Sequence, residues 1–424
     1  MSVRRAAHVL GHKSTGESSV ASTGKDAGLE LHVCDNAVRS ESVLDGVDCS
    51  LAEARGIGNE AYTDNAFLAL ERRRLLSPTW TCIGIGSDLP EPGDVKPVDL
   101  VGLPLLMVRA ENGELRVFHN VCSHRGVRLV EESGQVKRVI VCPYHSWSYN
   151  LDGTLFSTPH IGGQGKHSCE GFDKSRHPLR RVRSATWFDL VFVNLSGDAP
   201  PFEEHIAPIA ERWKHYDPSR FHHGGSDSHW TLELNCNWKL VVENHNDAYH
   251  LPWVHPGLNS YSKFEDHYEI VGDDFYAGQG SNAYQPKRPE NAAQLPRLSD
   301  VPDEWQERSE YIAIFPNAII GIHVDHYWSV WLEPVSCDRT VERMNLYFVG
   351  ERRLGDEYDS VRRTVTAEWL QIWSEDRNIV ERMQRGRSSP AFRGGVFSPA
   401  LDAATHQLHR WYARRMQDTG IRAG

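Results

Sequence analysis

Long apolar runs are missing from this 424-residue chain: nothing approaches the 18 or so residues that a bilayer-spanning helix needs, so a soluble, cytoplasmic protein with no membrane partner is expected. Basic residues are outnumbered, 46 Lys and Arg against 57 Asp and Glu. The net charge of −11 gives no electrostatic basis for general binding to phosphate backbones, and no nucleic-acid partner is expected. Cysteine is sparse and dispersed, at 34, 49, 82, 122, 142, 169, 236 and 337, without the dense framework that staples small secreted domains. A nucleotide-binding unit is also missing. Gly278 to Ala283 formally fit a dinucleotide fingerprint, but Pro286 and Pro289 stand where a helix should open. No nicotinamide or flavin site is otherwise visible, so electrons for any redox chemistry must come from another protein.

The chain has no internal repeat and no long low-complexity linker. Its first 28 residues are rich in Ser, Gly and Ala and lack the apolar centre of a secretory signal. Residues 1–54 are read as a disordered or poorly ordered extension. Residues 55–88 form a helical segment, opened by Asp64 as cap and stopped at Pro78. Residues 89–198 turn to short strands, with hairpin signals at Asn112-Gly113 and Asp152-Gly153, and read as an all-β module. From 199 to 424 the pattern is mixed, with helices predicted over 238–249, 361–384 and 406–416 and paired strands over 311–331. The expected fold class is therefore α+β: an all-β domain, then a larger domain whose central antiparallel sheet is flanked by helices.

Two stretches carry chemistry. Cys122-x-His124 and Cys142-x-x-His145 put two thiols and two imidazoles on two loops 17 residues apart. Spacing alone admits one tetrahedral zinc or a [2Fe-2S] cluster with Cys on one iron and His on the other. The second stretch is NWKLVVENHNDAYHLPWVHP, residues 237–256. His250 and His255 would lie about 140° apart on an unbroken helix, too far to share a metal. Pro252 is expected to end the helix near Leu251 and let the next turn return His255 beside His250. Two imidazoles and one carboxylate make the facial triad of non-haem Fe(II) oxygenases; the carboxylates available are Asp247, Asp325, Glu375, Asp376 and Glu381. His323-Val-Asp325-His326 is a rival signal, but strand alternation separates His326 from the other two, and pocket lining or ordinary hydrogen bonding is preferred.

The flanking residues supply a resemblance. C-S-H-R-G and C-P-Y-H-S-W resemble the cluster loops of Rieske proteins, of the oxygenase kind, since Val127 and Tyr144 stand where respiratory members carry a disulfide. Ser146 occupies a place where the oxygenase pattern usually has glycine, which predicts a mildly strained backbone there. N-W-K, E-N and D-x-Y-H-x4-H resemble the mononuclear iron motif of the same family. EDRNIVERMQRG resembles its C-terminal helix, where Asp is followed by Glu five and Gln eight positions later. The chain thus resembles the α subunit of Rieske non-haem iron oxygenases. That resemblance implies cluster ligands Cys122, His124, Cys142 and His145, iron ligands His250, His255 and Asp376, and Asp247 as a bridge from His250 to His145 of the next protomer in a homotrimer. It also implies dioxygen as co-substrate and a separate flavin/iron-sulfur reductase through which NAD(P)H acts indirectly.

The C-terminal stretch ERMQRGRSSPAFRGG and the YIAIFPN before it are similar to the members that act on choline, glycine betaine or carnitine. The expected reaction is hydroxylation or oxidative N-demethylation of a small quaternary ammonium compound. Trp253, Tyr261, Phe315, His323 and Trp328 are the candidate pocket residues, with Tyr311 and Trp331 as further aromatics. An aromatic acid hydroxylase, and a non-catalytic Rieske electron carrier, are the alternatives.

Overall fold

The computed structural model describes residues 43–287, 293–350 and 356–417. The expectation for residues 1–42 lies outside the described residues. Residues 43–54, expected to be poorly ordered, instead pack on the last helix, Ala403–Gln417: His406 lies 2.9 Å from the Val47 carbonyl, and Arg410 and Arg414 both bond Asp48.

Two antiparallel sheets organise the described chain. The first has seven strands in the order Thr81–Ile85, Leu190–Asn194, Arg181–Trp187, Leu115–His119, Leu103–Arg109, Asp94–Leu100 and Gly134–Gln135. A separate three-stranded sheet, Val139–Val141, Ser148–Asn150 and Leu155–Ser157, carries one Cys-His loop. Both hairpin signals are realised with positive φ, at Gly113 (81°) and Gly153 (88°). Gly153 is needed twice over, because a Cβ there would lie 2.5 Å from the Phe118 ring. The strand Thr81–Ile85 falls inside the segment expected to be helical; its five residues are all buried, and its partner is Leu190–Asn194, over a hundred residues away. Long-range pairing decided this element, not local propensity.

The second sheet has eight strands, with Ala318–Ile322 near its centre and buried on both faces. The two sheets share one core: Trp80, Cys82, Phe188 and Phe192 of the first meet Ile312, Ile320 and Tyr327 of the second. Asn317 ties them by hydrogen bonds to both backbone groups of Cys82. Helices cover the second sheet. Asn65–Glu71 begins as expected, with Asp64 accepting from the Ala66 N–H at 2.8 Å. The helix Asp359–Arg387 repeats its buried residues at Val361, Val365, Trp369 and Trp373, every fourth position, so one face lies on the sheet.

Candidate active site with two metal centres

The two Cys-His loops have the same local geometry. In the first, the Cys122 N–H donates to the Val127 carbonyl (2.8 Å) and the Gly126 N–H to the Cys122 carbonyl (3.0 Å). In the second, the Cys142 N–H donates to the Trp147 carbonyl (2.7 Å) and the Ser146 N–H to the Cys142 carbonyl (3.1 Å). Each loop turns on a left-handed residue four places after its cysteine, Gly126 (φ 72°) and Ser146 (φ 56°). The backbone at Ser146 is thus in the conformation that favours glycine. Both cysteines are buried and free, and Tyr149 closes over the first, its hydroxyl 3.2 Å from Cys122 Sγ. The His124 ring stacks on Trp147 (4.6 Å, 9°) and meets His145 edge-on at 4.7 Å. His145 Nδ1 is buried without a hydrogen-bond partner. Burial raises the Cys142 thiol above its ordinary range.

These four side chains do not converge on one point. Among the described residues, the group of three ligands whose donor atoms all lie within 4.8 Å of one another is His250, His255 and Asp376. A single zinc needs four donors about 2 Å from one ion. Two buried sulfurs and two facing imidazoles spread wider than that suit a two-iron cluster.

The second centre forms where a helix stops. Asn237 caps Trp238–Asn246 by accepting from the Lys239 N–H, and the helix ends at Asp247, already extended at φ −102°, ψ 119°. The expected role of Pro252 is corrected here. It sits in the first turn of a separate short helix, Leu251–Val254, where its missing N–H costs nothing, and so opens a turn rather than closing one. That turn brings the His250 and His255 rings to 5.0 Å. Asp376 Oδ1 lies 3.6 Å from His250 Nε2 and 3.0 Å from His255 Nε2. Each imidazole's other nitrogen is held by a carboxylate, His250 Nδ1 by Asp247 (3.2 Å) and His255 Nδ1 by Glu375 (2.8 Å). This frees both Nε2 atoms for a metal and fixes the ring planes. Burial opposes charge on His255, but its contacts with Asp376 and Glu375 outweigh it and raise its pKa. Beyond these two imidazoles, Asp376 Oδ1 has no hydrogen-bond partner. Two Nε2 atoms and the carboxylate oxygen they face are the donor set of the facial triad. Glu375, one of the possible ligands by sequence, lies behind His255 instead.

The rest of the motif holds this geometry from behind. Glu71, completely buried, accepts from Lys239 Nζ (2.6 Å), Trp238 Nε1 (2.9 Å) and Tyr412 OH (2.7 Å). Glu243 is bonded by Tyr62, Arg387 and His409. Glu381 accepts from the Asn235 N–H and side-chain amide (both 3.1 Å), and Gln384 from the Asn237 N–H (3.0 Å) while donating to the Tyr62 carbonyl (2.9 Å). Glu at five and Gln at eight places after Asp376 therefore bind the helix carrying Asp376 to the segment that opens the histidine helix.

A cavity of about 70 Å³ adjoins the triad. Its walls include Tyr311, Trp328, Trp369 and Trp373, and the Trp328 ring lies 5.3 to 5.8 Å from the other three. Trp369 Nε1 donates to His326 Nε2 (2.9 Å), whose Nδ1 meets Asp325 at 2.6 Å, so the His326 pair orders a wall rather than a metal. His245 also lines the cavity; burial, with Asp376 and His250 as lesser influences, moves its pKa to about 3. Glu342 is a further wall residue, its carboxyl pushed well above the usual range by burial and by Asp376. Of the predicted pocket residues, Trp328 is in the wall and four are not. Trp253 is 71% exposed, Phe315 is buried against Trp411, and Tyr261 packs on Tyr284. His323 stacks on His326 behind Tyr311. Sequence reasoning missed Trp369 and Trp373, although with Asp376 they fall at i, i+4 and i+7 on one helix face.

Residues 79–168 match the family described as Rieske [2Fe-2S] domain, and residues 221–418 that described as ring hydroxylating alpha subunit, catalytic domain. The carnitine monooxygenase oxygenase subunit of Acinetobacter pittii is 27% identical over 78% of this chain and 85% of its own. The glycine betaine monooxygenase oxygenase subunit of Chromohalobacter salexigens is 25% identical over 84% of each, and the chloroplastic choline monooxygenase of Arabidopsis thaliana 27% over 82% and 80%. Among solved structures, a quaternary ammonium Rieske monooxygenase superposes with a TM-score of 0.70 at 23% identity, covering 89% of this chain and 98% of the other. A Rhodococcus naphthalene 1,2-dioxygenase gives 0.70 at 17%, covering 90% and 98%.

Proposed function

The chain belongs to the α subunits of Rieske non-haem iron oxygenases, and from that premise we propose that it hydroxylates or oxidatively N-demethylates a small quaternary ammonium compound. The single observation that carries this reading is the cavity wall. Tyr311, Trp328, Trp369 and Trp373 line the cavity beside the triad, and a methylated cation gains about 0.5 to 2 kcal/mol at each ring face it meets. The relatives named for carnitine, glycine betaine and choline add support.

When bound, the Rieske cluster and the mononuclear iron supply electrons and the activation of dioxygen. In this reading Cys122 and Cys142 would hold one iron of the cluster, His124 and His145 the other, and His250, His255 and Asp376 the mononuclear iron. Asp247 has one oxygen on His250 Nδ1 and the other on the Tyr249 N–H, with its side chain 25% exposed. It can therefore take a hydrogen bond from outside its own chain. Exposed aromatics flank both ends of the proposed path: Tyr144 against the His145 ring, and the Tyr249 and Trp253 pair beside Asp247. This favours a homotrimer in which His145 of one protomer meets Asp247 of the next, fed by a separate NAD(P)H-dependent reductase.

The test is substrate-dependent oxygen uptake by iron-loaded protein with a reductase, with betaines and aromatic acids side by side. Uptake with a methylated ammonium compound, with formaldehyde released where demethylation follows, is expected. Uptake with aromatic acids alone, giving phenols or diols and no formaldehyde, would overturn the reading.

A further inference from the structure

One wall of the cavity carries an acid that no protein group satisfies. Glu342 lies in the strand Arg339–Val349, is 2% exposed, and has Oε1 buried without a hydrogen-bond partner. Its neighbours across the sheet are Leu232 and Leu332, which offer neither charge nor donor. The guanidinium on the wall, Arg377, is turned to Glu381 at 3.3 Å and is 47% exposed. An unpartnered buried carboxyl group is costly, and leucine would serve this position better if packing were its only task. A partner arriving from outside removes that cost.

We propose that Glu342 is the anionic subsite for the cationic head of the substrate and sets the preference for cations over neutral molecules of the same shape. This rests on the ammonium reading above. With a metal on the triad, the charge of Asp376 no longer opposes a charge on Glu342, and a cation entering the cavity favours the carboxylate form of Glu342, its proton leaving to solvent. The aromatic walls give a methylated cation a modest advantage over a neutral tert-butyl group of the same shape. A carboxylate in the same wall adds a full countercharge, and Glu342 supplies it.

Binding decides the matter without turnover. Choline and 3,3-dimethylbutan-1-ol differ in one atom, nitrogen for carbon, and titrations of the full-length, iron-loaded protein can be followed by the fluorescence of the three cavity tryptophans. Wild type should prefer choline by at least about tenfold, and Glu342→Gln, which keeps the shape and drops the charge, should raise the Kd of choline about tenfold while leaving that of the alcohol within about twofold. Should Glu342→Gln fail to fold, Glu342→Asp withdraws the charge by one methylene and should weaken choline severalfold with the alcohol unchanged. A wild-type preference that survives the substitution undiminished overturns the role of Glu342 and leaves the ammonium reading standing. A wild type that does not distinguish the two ligands overturns both.

Discussion

Gln384 offers the sharpest test of how the motif works. Its side chain spans two buried backbone groups, accepting from the Asn237 N–H and donating to the Tyr62 carbonyl. Gln384→Leu conserves volume and strands both. At about 1 to 3 kcal/mol for each unsatisfied buried group, and with some relief from local relaxation, the folded state should lose about 2 to 4 kcal/mol. The loss falls on the opening of the helix that ends at Asp247, three residues before His250, so the cost should appear at the mononuclear site and not at the cluster. Fe(II) affinity should fall about 10- to 100-fold, the range for partners that support metal ligands. Anaerobic iron titration against a competing chelator measures this, while cluster absorbance per chain serves as an internal control and urea unfolding gives the stability change. Glu381→Ala should cost less, about 1 kcal/mol, since its bonds to Asn235 are exposed. A Gln384→Leu protein that is destabilised yet binds Fe(II) like wild type would refute the coupling of this clamp to the metal.

Asp247→Asn keeps shape and loses charge; both metals should stay bound while substrate-coupled oxygen uptake falls about a hundredfold, and normal turnover would dismiss the bridging role. His205, mostly buried against Phe275, has its pKa lowered to about 4 by burial first and Arg415 second. The folded state therefore binds its proton later than the unfolded state, and stability should drop as pH falls from about 6.5 towards 4, by about 2 kcal/mol at pH 5. Urea unfolding of His205→Gln should show that much less change between pH 7 and 5; parallel curves would assign the slope to other groups. Ser146→Gly removes a Cβ from a left-handed backbone and should raise the stability of the cluster-loaded protein by about 0.5 to 1 kcal/mol, read as a higher thermal midpoint of cluster bleaching. A lower midpoint would mean that the serine side chain contributes more than its backbone strain costs.

What the sequence made legible was set by how local the determining interaction is. The Asp64 cap, the glycine turns at 113 and 153, the left-handed backbone at 146 and the fourfold repeat along Asp359–Arg387 each depend on a few neighbouring residues, and each could be read. The strand Thr81–Ile85 could not, because its partner is distant in the chain. In the sequence Pro252 reads as a stop, whereas the chain uses it as a start; both roles follow from the missing N–H, and only the preceding break at Asp247 decides between them. The aromatic wall failed for another reason. Hydrophobic type says that a ring is buried or exposed, not which space it faces, so Phe315 and Trp253 were as plausible as Trp328 until the sheet and helix were in place. Glu375 and Asp376 are adjacent, and their division into a support for His255 and a donor to metal depends on a helix rotation of about 100°.

The fold itself does not select the substrate. A quaternary ammonium monooxygenase and a naphthalene dioxygenase superpose on this chain equally well, each with a TM-score of 0.70. Selectivity must then lie in side chains projecting from shared elements. In this chain those elements are the strands bearing Tyr311, Trp328 and Glu342 and one helix bearing Trp369 and Trp373. The same helix carries Asp376 three residues after Trp373, so the position of the wall and the position of the metal are not independent. A substitution that rotates this helix to enlarge the cavity also moves Asp376 relative to His250 and His255. Substrate range in this protein is therefore expected to change through the strand residues, which can be replaced without disturbing a ligand, sooner than through Trp369 or Trp373.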